Sequence, residues 1–135
     1  MKWVQPDNAQ RVRDWLRKRV DGDGRIRSQV PEKWTPRDGP VVTVVSDGTP
    51  ISERGYVTEL VRVTVHGVDA PSTRRLMADI DSILLTPLSR LGAGFSITPA
   101  TGLIVIKDSK LGGWVSSVTY RVTTNRVLGG SRNAT

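Results

Sequence analysis

Few residues in this chain have the types and spacing that chemistry requires. His66 is the only histidine. Hydrolytic triads and zinc sites need a nucleophile, a base and an orienting group, or several ligands together. His66 instead ends an apolar-polar alternation beside Gly67, with no motif partner. The chain has no cysteine, which removes disulfide scaffolds and thiolate metal sites. Asp79 and Asp81 stand two apart and cannot share a helix face. No GxSxG, P-loop or GxGxxG is present. The run Asp21-Gly22-Asp23-Gly24 resembles part of a calcium loop. If Gly24 takes the glycine position, however, Arg19 and Val30 fall where the first and last carboxylates belong. A glycine-rich helix stop accounts for the run better. The expectation is no enzyme activity, no metal and no cofactor.

The other chemically loaded residues are cations. The formal net charge is +7. Residues 1–39 hold 10 basic and 6 acidic side chains, and residues 40–135 hold 10 and 7, so the excess is spread along the chain. Arg11, Arg13, Arg17, Lys18 and Arg19 surround one helix-like stretch, and Arg121 and Arg126 lie near the end of the last strand-like stretch. One basic helix without a turn-helix partner is weak evidence for nucleic-acid reading. A solvated or interfacial helix face explains it more simply.

Elements must position these groups. The central stretch is Tyr56 to Leu85. Val57, Val61, Val63 and Val65 recur at period two, while Thr58, Leu60, Arg62, Thr64 and His66 take the other face, which predicts a half-buried strand. Asp69 can cap the following helix, with Pro71 in its first turn. Leu76, Met77, Ile80, Ile83 and Leu84 then form one apolar stripe, so the helix should pack on the sheet.

Before this stretch, Asp7 or Asn8 can cap a helix reaching about Val20, followed by a Pro-bearing crossing anchored by Val30 and Trp34. Val41 to Val45 predicts a short strand, and residues 46–55 a polar hairpin loop. After the helix, residues 95–106 suggest two short extended pieces broken at Pro99 to Gly102. Residues 107–113 predict a second polar loop, and Trp114 to Arg126 a last strand. The expected fold is α+β: a single domain over residues 1–126, in α-β-β-α-β-β order. It has a mostly antiparallel four-stranded sheet with helices on one face, and a fraying tail at 127–135. No internal repeat is visible. At 135 residues one domain with a modest aliphatic core is expected. No apolar run reaches about 18 residues, so no membrane span is expected. The N-terminus lacks the apolar stretch of a secretory signal.

This succession of a first helix, the crossing Val30-Pro31 to Thr35-Pro36, VVTVV, a polar loop, VRVTVHG, the helix STRRLMADIDSILL and two final strands resembles the tail terminator proteins of long-tailed bacteriophages. The resemblance covers about residues 8–126, most of it carried by Val41 to Leu85. It implies a structural virion protein of the tail and neck, assembled in the host cytoplasm. Such proteins form a homo-oligomeric ring, usually of six copies, on the finished tail tube, so the resemblance implies a hexamer. The ring stops tube polymerisation and joins the tail to the head connector or stopper, while DNA passes through the bore. Ring closure needs a head-to-tail interface between identical chains. The alternatives are another neck or tail protein (stopper, adaptor or tube subunit) or a small basic nucleic-acid-binding module.

Under the ring expectation the two polar loops are contact elements. Their candidate residues are Ser46, Asp47, Thr49, Ile51, Glu53 and Arg54 in the first, and Lys107, Asp108 and Lys110 in the second. Arg11, Arg13, Arg17, Lys18, Arg19, Arg121 and Arg126 are the candidates for a ring interface or for facing DNA.

Overall fold

The computed structural model describes residues 3–4, 7–20, 24–47, 51–53, 56–86, 95–125 and 127–128. The strands are β1 (Trp3–Val4), β2 (Ile26–Arg27), β3 (Val41–Ser46), β4 (Ile51–Glu53), β5 (Tyr56–Gly67), β6 (Phe95–Pro99), β7 (Ile104–Lys107), β8 (Trp114–Asn125) and β9 (Val127–Leu128). The helices are α1 (Asn8–Arg17), before β2, and α2 (Ala70–Leu85), between β5 and β6; a single 3-10 turn spans Pro36–Asp38.

Both helices start as their sequences dictate. The Asp7 carboxylate accepts from the Gln10 N–H at 3.0 Å, and that of Asp69 accepts from the Ser72 N–H at 2.8 Å. Each satisfies an N–H that has no partner within the helix. Helix α1 stops at Arg17, with Lys18 as its C-cap, three residues short of the expected Val20. Of the glycine-rich run, residues 21–23 lie outside the described residues; Gly24 has φ +72°, a conformation glycine adopts at no steric cost.

The β-branched strands assemble into one seven-stranded sheet in the order β2-β3-β5-β8-β6, with β4 also beside β5 and β7 also beside β8. The pairings are antiparallel except β2 with β3, which is parallel. Strands β5 and β8 pair along their whole length, from Tyr56 opposite Asn125 to Gly67 opposite Trp114. Strand β3 flanks Val61–His66 and β4 flanks residues 56–58 on the same side of β5. Likewise β6 flanks residues 120–124 and β7 residues 114–117 on the same side of β8. Residues 47–50 separate β3 from β4, although only Glu59 and Leu60 separate their partners. Residues 100–103 separate β6 from β7 in the same way, opposite Val118 and Thr119.

The topology is therefore a helix, an interrupted strand and a long strand, used twice, although the sequence shows no repeat. The expected four-stranded sheet in α-β-β-α-β-β order is corrected by these pieces. The loop 46–55 contains a strand that returns to β5, and β2 extends the outer side of β3. Pieces of two to four residues are too short to display a period in sequence.

One core holds this together. Ala9, Val12 and Leu16 from α1 and Met77, Ile80 and Leu84 from α2 bury against Val42, Val44, Val61, Val63, Val65, Val118, Tyr120 and Val122. Both helices thus cover the same sheet face, as expected. Leu76 and Ile83, expected inside, are only partly buried at its margin. The start of the expected tail is paired: β9 runs antiparallel to β1, Trp3 opposite Leu128.

Candidate functional site

Strand β5 carries the first loop at one end and His66 at the other. Ser46 closes β3 opposite Val61, and the Asp47 N–H donates to the Leu60 carbonyl at 2.7 Å. The Asp47 carboxylate lies 3.7 Å from the Arg62 guanidinium, an exposed ion pair of little energetic weight. Ile51 and Glu53 belong to β4, opposite Thr58 and Tyr56. Thr49 and Arg54 lie outside the described residues.

The second loop is a tight turn. Lys107 ends β7, and the Asp108 carboxylate accepts from the N–H groups of Lys110 and Leu111 at 2.9 and 3.2 Å. Gly112 and Gly113 have φ of +79° and +75°, and a methyl group on Gly113 would strike the Gly67 carbonyl and Pro36. That tip therefore sits against the end of β5, where β8 begins, whereas Asp47 lies beside Leu60. The fold does not bring the two loops together.

The basic helix is largely occupied. Arg13 donates to the Val44 carbonyl and to the Gln10 amide oxygen, and Arg17 to the Ile26 carbonyl at 3.1 Å and to Asp14. These carbonyls lie on β3 and β2, at the outer side of the sheet. The two arginines cover edge groups that would otherwise need water or another strand. Arg19 lies 3.3 Å above the Trp15 ring and donates to the Trp15 carbonyl. Lys18 is exposed and Arg11 partly so. Arg121 is exposed on the sheet face away from the helices, and Arg126 lies outside the described residues.

His66 sits on that same open face. Its Nε2 is 3.4 Å from Thr43 Oγ1, and Trp34 meets its ring edge-on at 6.0 Å between centroids. Burial lowers its pKa, partly opposed by the Asp108 carboxylate. The surroundings make it a packing residue under the crossing segment. Under α2, the Tyr120 hydroxyl donates to the Asp81 carboxylate at 2.6 Å. Burial first, then that carboxylate, raises the phenol pKa, so Tyr120 stays a neutral donor. Among the described residues no group of three or more histidines and carboxylates is placed to hold a metal.

Sequence reasoning missed a cleft of about 230 Å³ between the crossing segment, the end of β5 and the first turns of α2. Arg25, Pro36, Pro40, Val68, Arg75 and Leu76 are among the residues that line it. A neighbouring hollow of about 380 Å³ shares Arg25 and Pro40 and adds Trp34 and Lys33, the latter at φ +66°. The residues lining the cleft come from three segments, at residue 25, residues 36–40 and residues 67–79, so no local pattern announces it. No protein-family model matches the chain, and no curated protein matches it.

Proposed function

We propose that the chain is a structural subunit of a bacteriophage tail neck, a tail terminator that closes into a ring on the tail tube and presents its other side to the head connector or stopper. The observation carrying this reading is the segment Val41–Leu85. It forms β3, β5 and α2 with the helix packed on the sheet, in the order on which the resemblance rests. The fold adds a sheet on which both described helices lie on one face, and of the other face Arg62 and Arg121 are exposed. In this role the protein is a virion component, its partners being copies of itself, the tube, the connector and transiently DNA. No helix among the described residues is long and apolar enough to cross a membrane.

A stopper, adaptor or tube subunit would use the same fold with other partners. A nucleic-acid-binding module is disfavoured because Arg13 and Arg17 are engaged with strand carbonyls. DNA should bind only weakly and without sequence preference, fading as salt rises. A titration on random and varied duplexes at low and physiological salt tests this, and tight binding to one sequence at physiological salt overturns the structural role. Class averages of the purified protein by electron microscopy test ring formation. Closed rings are expected alone or on tube ends, and a monomer under both conditions would sink the reading.

A further inference from the structure

We propose that the cleft at the start of α2 is a docking site for an acidic partner protein, whose aliphatic side chain enters between Pro36, Pro40, Val68 and Leu76 while a neighbouring carboxylate meets Arg25 and Arg75. The apolar half of the argument is exposure. Val68 is 56 % exposed at the cleft and Leu111 42 % exposed on the adjoining tip, whose Gly113 lies against Pro36 and Gly67. These two aliphatics put apolar surface in water beside an apolar hollow, where a partner's side chain can cover it.

The polar half is charge. Among the described residues the ion pairs are Arg17 with Asp14 and Arg62 with Asp47, so neither Arg25 nor Arg75 is in one. Asp79 also lines the cleft, and the Asp69 carboxylate feels Arg75 from the helix start, but neither carboxylate forms an ion pair with Arg25 or Arg75. An occupant that pairs these two cations carries a carboxylate. A nucleic acid is a poor fit. Proteins that bind single strands stack the bases on aromatic rings, and no aromatic side chain lines this cleft, whose apolar part is proline, valine and leucine. An acidic protein remains; within the ring reading, on which only this placement rests, it is the tube or the connector.

The test uses the full ¹⁵N-labelled chain and three peptides: Ac-Glu-Leu-Glu-Leu-Glu-NH₂, the same with serine for leucine, and the same with lysine for glutamate. The first should shift the amides of Gly67, Val68, Ser72 and Arg75 with millimolar affinity that weakens in salt. The other two should bind at least tenfold more weakly. Arg25→Glu combined with Arg75→Glu should abolish the response. Val68→Ser, at an exposed position that folding does not need, should reduce it several-fold. Equal shifts from the lysine peptide, no shifts at these amides, or the same shifts from a short DNA duplex would each overturn the proposal. Ring images decide the subunit reading separately, so the two can fail independently.

Discussion

On the face that the helices cover, β5 and β8 present Val61, Val63, Val65, Val118, Tyr120 and Val122, all buried. On the other face the same two strands present Thr58, Arg62, Thr64, Ser117, Thr119 and Arg121. Alternation at period two sends one chemistry to each side. The covered face is held by area removed from water. The open face is tied by hydroxyl pairs across the strands, Thr58 with Thr123 at 3.0 Å and Thr64 with Ser117 at 3.1 Å. At one corner it is roofed by Trp34. Elsewhere Ile104 and Ile106 on β7 stay more than half exposed, at 59 and 55 %. One face therefore makes the fold, and the other, with its borders, is what the fold has left to offer.

The contrast can be broken most forcefully at Ile80, which α2 buries fully against the sheet. Ile80→Ala should cost about 2–5 kcal/mol in urea unfolding, and a loss no larger than that of Thr119→Ala would dissolve the distinction between faces. At the sheet's outer side, Arg13→Ala exposes the Val44 carbonyl and should cost about 1 kcal/mol. Arg11→Ala, which breaks no side-chain hydrogen bond among the described residues, should cost clearly less, and equal losses would remove the edge-covering role.

The roofed corner predicts a pH dependence. Burial lowers the His66 pKa in the folded chain below its ordinary value of 6.5. The folded state then binds fewer protons than the unfolded state. Stability is full above about 6.5 and falls as pH drops through the lowered folded value. Denaturation midpoints at pH 7.5 and 5 should separate for the native chain and converge for His66→Gln; a native midpoint that rises toward acid would reverse the sign. The smallest effect belongs to the open face, where Thr64→Val should change stability by about 0.2–1 kcal/mol, measured in the same unfolding assay.

Much of the covered face was legible because its signals are local. The valines of β5, the stripe from Leu76 to Leu84 and the capping aspartate Asp69 need only their neighbours in sequence to declare a strand, a helix and its start. Glu59 shows the limit: it interrupts the apolar series, yet it is buried on the covered face. Strands β2 and β4 were not legible, because two or three residues become a strand only when a distant partner offers its edge. The candidate contact residues fared unevenly for the same reason. Lys107, Asp108 and Lys110 do lie at a tight turn, a local matter of Asp108 and two glycines. Arg13 and Arg17 read as free cations, but their acceptors are carbonyls on β3 and β2. The cleft at Arg25 joins three segments that no window of sequence contains together.

The central claim is that this chain stops a growing tail tube, and the direct measurement is tube length. Tube protein polymerised with and without the purified chain should give, by electron microscopy, short tubes ending in a ring when the chain is present and long open tubes when it is absent. Tubes of equal length with bare ends under both conditions would contradict the account.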